Sequence, residues 1–272
     1  ERSMSVRRRL DQEMLRRGLA ESRTRAQDLI DAGRVTVDGA PADKAARRVA
    51  AGQAVVVAGP PPRFVGRGGE KLDAALSRFT IEVAGRRVVD VGSSTGGFTD
   101  CLLQRGAGSV VAIDVGRGQL HQRLRDDGRV TVRERTDIRD VEPAGVGAPF
   151  DLLVADLSFI SLATVMPSLV ALVGEGLPMV LLVKPQFEAG REEADRGRGV
   201  IRDPEVWHRV LERTHRSVCD AGAAIMDGMV SPITGAEGNV EFLVHATVGV
   251  VEGPFDITRL VASVVGDDSE PG

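Results

Sequence analysis

Between Val88 and Phe98 the chain reads Val-Val-Asp-Val-Gly-Ser-Ser-Thr-Gly-Gly-Phe. An apolar run enters a glycine-rich turn, and the residues that follow suit a helix. Glycines at 92, 96 and 97 let the backbone bend sharply and approach a ligand that side chains would exclude. Twenty-four residues past Asp90, a second apolar run, Val-Val-Ala-Ile, ends in Asp114. A carboxylate there is placed to accept hydrogen bonds from the two hydroxyls of a ribose, as in nucleotide-binding α/β folds. Together these features imply a sheet that holds an adenosine-type cofactor at one edge.

The spelling of the turn narrows the cofactor. A dinucleotide site wants Gly-x-Gly-x-x-Gly, which seats a pyrophosphate on a helix N-terminus. Here the order is Asp90-x-Gly92-x-x-x-Gly96-Gly97-Phe98, with Ser94 and Thr95 between the glycines. It resembles the S-adenosylmethionine turn of class I methyltransferases. That resemblance implies S-adenosyl-L-methionine as cofactor, bound by Asp90, Gly92, Ser94, Thr95, Gly96, Gly97, Phe98 and Asp114. Asp137 and Asp156 join the set, because both stand at or just beyond strand ends on the same edge of the implied sheet.

Apolar runs at about 88–91, 110–114, 130–133, 151–155, 179–183, 224–230 and 240–247 alternate with helical patterns. Alternation of this kind predicts an α/β fold, a seven-stranded and mostly parallel sheet covered on both sides. The apolar stretch Leu157–Val183 is interrupted by Pro167, Gly174, Glu175, Gly176 and Pro178, so it reads as a strand end, a buried helix and a second strand rather than a membrane span. Asp203-Pro204 starts a helix whose apolar stripe is Trp207, Val210, Leu211 and Val218. Gln186–Gly199 is glycine- and charge-rich beyond a strand end, the place for a lid. Residues 257–265 form a last short helix before an acidic end.

The net charge of −4 hides a split. Residues 1–67 hold 14 Lys and Arg against 8 Asp and Glu, whereas the remainder holds 21 against 31. A basic module on an acidic body suggests a polyanion partner docked by the smaller part. In that module Leu10, Met14 and Leu15 have helical spacing up to Gly18. Ser22 is placed to cap a second helix through Ala26, Leu29 and Ile30. Val35–Gly39 reads as a strand and hairpin turn, with Ala54–Ala58 as the return strand. The arginines crowd the helices. Arg9-Leu10-Asp11, Gly18-Leu19, Ser22-Arg23, Ala26, Leu29-Ile30, Gly33 and Val35–Gly39 together resemble the S4 RNA-binding domain, a small α+β fold. The resemblance implies phosphate contacts from Arg7, Arg8, Arg9, Arg16, Arg23 and Arg25, with Arg67 beyond the linker. The expected organisation is an S4-like domain over 1–59, a proline-stiffened linker over 60–66 and a catalytic domain over 67–272.

Asp156, Lys184 and Glu241 stand at strand ends or within an apolar strand, where ionised groups are costly unless paired with one another or with a ligand. With Lys71 upstream, the order Lys-Asp-Lys-Glu resembles the tetrad of FtsJ/RrmJ-type 2′-O-ribose RNA methyltransferases. The strings Gly-Gly-Glu-Lys-Leu, Ala-Asp-Leu-Ser-Phe-Ile-Ser-Leu, Val-Lys-Pro-Gln-Phe-Glu and Gly-Asn-Val-Glu-Phe narrow the resemblance to the TlyA family, also called hemolysins. Phe64-Val65-Gly66 departs from the Trp-Val-Ser of mycobacterial relatives. The resemblance implies 2′-O-methylation of cytidine in 16S and 23S ribosomal RNA of the 30S and 50S subunits, with an influence on capreomycin and viomycin sensitivity. In that chemistry Lys184 serves as base in its neutral form, which burial and the nearby Lys71 ammonium favour. Asp156 orients it near the cofactor, and Lys71 and Glu241 hold the ribose.

No metal is required, and the four scattered histidines offer no zinc spacing. Cys101 and Cys219 are isolated, as expected in a reducing cytoplasm. Two other readings stand beside this one. A membrane-lytic protein would need an amphipathic or spanning segment, and none is evident. An S4-linked pseudouridine synthase would need a catalytic aspartate in a different fold, without the Gly92–Gly97 turn.

Overall fold

The computed structural model describes residues 7–20, 23–59, 62–189, 200–235 and 238–267. They divide into two compact units between Pro62 and Arg63. Ser22, Pro60, Pro61 and residues 190–199 of the expected lid lie outside the described residues.

The first unit runs β1 (Arg7–Arg9), α1 (Leu10–Arg16), α2 (Arg23–Asp31), β2 (Val35–Val37), β3 (Ala40–Pro41), β4 (Arg48–Ala50) and β5 (Val55–Val57). Leu10 and Met14 of α1 and Ala26, Leu29 and Ile30 of α2 recur at helical spacing, so each helix turns one face onto Val35, Val37 and Val49. Asp38 and Gly39 both have positive φ, 52° and 80°. That is the backbone of a two-residue hairpin turn, with Val37 opposite Ala40. The return strand is therefore β3. Residues 55–57, expected in that role, pair instead with the other edge of β2. A two-residue turn leaves no chain to spare, so the strand after it must be the next residues. The antiparallel pairing of β1 with β4 was not anticipated, because three consecutive arginines show no apolar alternation.

The second unit comprises α3 (Gly68–Arg78), β6 (Arg87–Val91), α4 (Gly97–Gln104), β7 (Ser109–Ile113), α5 (Gln122–Arg125), β8 (Val130–Arg133), α6 (Pro143–Val146), β9 (Leu152–Ala155), α7 (Leu162–Val170), β10 (Pro178–Val183), α8 (Pro185–Glu188), α9 (Pro204–Asp220), β11 (Ala223–Val230), β12 (Phe242–Val248) and α10 (Ile257–Asp267). Its seven strands lie in the order β11-β12-β10-β9-β6-β7-β8. Neighbours from β10 to β8 pair in parallel, and β12 runs antiparallel to both β10 and β11. The seven strands fall at the expected segments, and the stretch 157–183 is indeed a helix followed by a strand, although Pro167 lies inside α7.

Side chains alternate between the sheet's two faces. Val89, Leu153, Leu181 and Val183 point into one layer with Val165, Leu169, Trp207 and Leu211 of α7 and α9. Val88, Leu152, Val180 and Leu182 enter the opposite layer with Leu72, Leu76 and Leu102 of α3 and α4. Asp203 accepts from the Glu205 amide at 2.9 Å ahead of Pro204, so α9 starts where its cap residues predict. Strand order reverses between β6 and β9, which opens a crevice at their carboxyl ends.

Candidate functional site

At that reversal β6 runs into Gly92, whose φ is +84°. A Cβ at this position would collide with the Asp156 carbonyl oxygen, so only glycine lets the turn pass the end of β9. Its amide donates to the Ile113 carbonyl at 2.8 Å, and the Asp156 amide donates to Val91 at 3.0 Å. Three strand ends are thereby pinned together. Gly96 and Gly97 are small for packing reasons: a Cβ at 96 would strike Leu124, and one at 97 would come within 3.1 Å of the Gly66 carbonyl.

A cleft of about 490 Å³ opens beside this turn, lined by Gly92, Ser94, Asp114, Gly116, Asp137 and Asp156 among others. The Asp114 carboxylate accepts from the Ser94 amide at 2.7 Å and from the Gly116 amide at 2.6 Å, so its position is fixed by the two turns it separates. Asp137 lines the same cleft, but its carboxylate is bound by Arg139 at 2.6 and 3.0 Å. That bond and the Arg139 amide hold its carboxyl down at about 2. Thr95, Gly97, Phe98 and Asp156 border a small recess of about 100 Å³ next to the cleft, and the Phe98 ring is buried.

Asp90 is fully buried one residue before the end of β6. Its Oδ2 accepts from Thr99 Oγ1 at 2.6 Å, while Oδ1 has no hydrogen-bond partner among the described residues. Burial pushes its carboxyl up to about 7, and the nearby Asp156 and Asp114 charges add to that rise.

The four tetrad residues resolve into two ion pairs. Lys184 Nζ lies 2.5 Å from Asp156 Oδ1 and donates to Ser158 Oγ at 3.0 Å, and the Phe187 ring sits 5.7 Å away. Lys71, on the first turn of α3, pairs with Glu241 just ahead of β12, the two side chains 9% and 3% exposed. Gln186 Nε2 donates to the other Glu241 oxygen at 3.4 Å. This corrects one expectation. The Lys71 ammonium is neutralised by Glu241 and does not stand beside Lys184 as an uncompensated like charge.

Glu241 reaches the crevice because β12 is reversed, so its entry lies at the edge where its neighbours exit. Ser158, Phe159 and Gln186 were not singled out from sequence. Ser158 and Gln186 each follow a tetrad residue by two positions, a signal visible only once the loops are placed.

The arginines of the first unit are more structured than a solvated face. Arg9 and Arg23 bond Asp11 at 3.0 and 3.1 Å, and Arg16 and Arg17 bond Glu13 at 2.6 and 2.7 Å. Both acids are buried, yet those hydrogen bonds hold each near a pKa of about 2. Arg7 and Arg8 are exposed on β1, and Arg25 lies half-buried on α2. Arg67 caps α3 in the second unit and donates to the Thr234 carbonyl at 2.8 Å, beside the small recess.

A groove of about 580 Å³ between β11 and α10 holds no tetrad residue. Among the described residues no group of three or more His, Cys, Asp or Glu could hold a metal ion, and no helix is long and apolar enough to cross a membrane.

The chain matches the family models of the S4 domain over residues 8–55 and the FtsJ-like methyltransferase over 64–248. It is 49% identical over 240 residues to the 16S/23S rRNA (cytidine-2′-O)-methyltransferase TlyA of Mycobacterium tuberculosis, covering 88% of this chain and 89% of that one. It is 38% identical over 238 residues to hemolysin A of Brachyspira hyodysenteriae, covering 87% and 98%. A solved structure of a hemolysin-named protein from Streptococcus thermophilus superposes with a TM-score of 0.77 at 36% identity, covering 98% of this chain and 100% of that one. With both units matched by family models and a relative 49% identical over most of its length, the chain belongs to the TlyA family, an S4 domain followed by an FtsJ-like methyltransferase.

Proposed function

We propose that this protein uses S-adenosylmethionine to methylate the 2′-hydroxyl of cytidine in ribosomal RNA of the 30S and 50S subunits, in the cytoplasm, with the S4 unit as its docking module. One observation carries the reading: the four residues form two ion pairs, Lys184–Asp156 and Lys71–Glu241, with Asp156 against the Gly92 turn and Gln186, two residues past Lys184, bonded to Glu241. The cleft suits the cofactor, with a glycine that no larger residue can replace and a fixed carboxylate, Asp114, for ribose hydroxyls. When bound, that cofactor supplies a methyl group already activated by a sulfonium.

A ribose hydroxyl is a weak nucleophile at neutral pH, so the protein must remove its proton and align its oxygen. Lys184 Nζ is the group that takes up that proton, and Asp156, 2.5 Å away, stabilises the positive charge that develops on it. Ser158 restricts the direction of Nζ. Lys71 and Glu241, linked to the Lys184 turn through Gln186, hold the ribose. Arginines seated on Asp11 and Glu13 present guanidinium groups in fixed directions to phosphates, which adds affinity without reading sequence.

Lys184→Arg keeps a cation facing Asp156 but cannot release a proton at working pH. Single-turnover methylation of 30S and 50S subunits at saturating cofactor should slow by about 10²–10⁴-fold. A near-wild-type rate would show that Lys184 is only a positioning cation. Methyl transfer to neither subunit by the unaltered protein would overturn the reading.

A further inference from the structure

Glu188, at the end of α8, is a buried carboxylate that the chemistry above does not use. Its Oε2 accepts from Ser161 Oγ at 2.6 Å and its Oε1 from the Leu162 amide at 2.7 Å, both at the start of α7. Burial pushes its carboxyl up, and these two hydrogen bonds with the Arg213 charge oppose that rise. Its carbonyl accepts from Arg213 on α9 at 2.6 Å. The Ser161 hydroxyl already caps α7 through the Ala163 amide at 3.2 Å, so α7 does not need Glu188 to begin.

What Glu188 does connect is two loops. The stretch after β9 carries Asp156, Ser158 and Phe159, and the turn after β10 carries Lys184 and Phe187. They touch at Lys184 with Asp156 and Ser158, at Phe187 with Phe159 (ring centroids 5.0 Å apart), and at Glu188 with Ser161 and Leu162. In the last contact the Glu188 carboxylate and its bond to the Leu162 amide are buried. Phe159 is 91% exposed, and Lys184 must face the crevice. A buried, doubly hydrogen-bonded carboxylate is the stiffest of the three attachments, because water cannot compete for its partners.

We propose that Glu188 is a positioning residue: its bonds to the first turn of α7 lock the β10–α8 turn against the β9–α7 loop and so hold Lys184 on Asp156. The proposal rests on the methyl-transfer reading. Losing the lock lets Nζ drift from the target oxygen, and a misplacement of about 1 Å costs on the order of 10²-fold in rate.

The test uses the full chain with Glu188→Ala and Glu188→Gln. Glutamine keeps an acceptor for the Leu162 amide and can donate to Ser161. In single-turnover methylation Glu188→Ala should lose about 10²-fold in rate, Glu188→Gln should stay within about tenfold of the unaltered protein, and cofactor Kd and RNA KM should change less than about threefold. Amide exchange without cofactor should quicken together in residues 157–163 and 184–189 of the alanine variant. A wild-type rate for Glu188→Ala, a loss residing in cofactor affinity, or faster exchange in 184–189 alone each overturns the proposal. Should Glu188→Ala fail to fold, Ser161→Ala decides: a several-fold slower rate at unchanged Kd supports the lock, and an unchanged rate refutes it. Absence of methylation by the unaltered protein would strike the underlying reading instead, and the lock with it.

Discussion

The Lys71–Glu241 pair allows stability and activity to be pulled apart. Both side chains are buried, and among the described residues the Glu241 carboxylate is otherwise bonded by Gln186 at 3.4 Å. Lys71→Met keeps the aliphatic stem but leaves that carboxylate in the interior without its counter-ion. Breaking a buried pair from one side costs about 3–5 kcal/mol, whereas replacing both partners with apolar groups is often neutral. Lys71→Met and Glu241→Leu should therefore each destabilise strongly, and the double variant should recover most of the loss. Urea unfolding followed by Trp207 fluorescence measures this. Trp207 is the chain's single tryptophan, is buried, and meets Phe242, the neighbour of Glu241, edge-on at 6.2 Å, so it reports on the second unit alone. With an m-value of about 2–3 kcal/mol/M, each single variant should lower the midpoint by roughly 1–2 M. Methyl transfer should stay abolished in all three. Additive losses would refute the buried-pair argument, and a double variant that methylates would refute the pair's role in holding ribose.

Asp114→Ala removes an acceptor for ribose hydroxyls and frees the Ser94 and Gly116 amides, so calorimetry should show S-adenosylmethionine binding weakened by about 1.5–3 kcal/mol; unchanged affinity would remove Asp114 from the site. Asp90 gives a pH signature. Its carboxyl is raised from 3.8 to about 7 in the fold, so its stabilising contribution is full below about pH 4 and is lost as pH rises through about 7. Asp90→Asn, which cannot ionise, should lose less stability than the unaltered protein between pH 5 and 8.5 in thermal melts, and parallel curves would refute the assignment.

The strands β7, β9 and β10 were legible because each is a continuous apolar run, the pattern of a sheet buried on both faces, whereas Thr131 interrupts β8 and Asp227 and Gly228 interrupt β11. Asp90, Asp114, Asp156 and Lys184 were legible for the opposite reason, as polar groups where such runs end. Partnership was legible only in part: Asp156 was read as orienting Lys184, at the ends of the parallel neighbours β9 and β10, whereas the pairing of Lys71 with Glu241 depends on β12 being reversed, and no local pattern records strand direction. Ser158, Gln186 and Glu188 stand inside strings that carry the resemblance, but what each bonds is set by the segment opposite and not by its own neighbours in sequence. In the first unit the short strands β1, β3 and β4 carry too few residues to show a period, which is why the hairpin partner was misassigned.

The position of β12 also bears on how the chain is made. A polypeptide emerges from its amino end, so β11 is synthesised before the strand it must lie against, because β12 separates it from β10. Until residues 242–248 appear, β11 has no neighbour to join and β10 presents an unpaired edge. Lys71 waits as well, since its counter-ion arrives one residue ahead of that strand. A nascent chain halted before residue 241 thus holds six strands of the sheet and an unfinished centre, and the insertion that closes the sheet is the same event that completes the site.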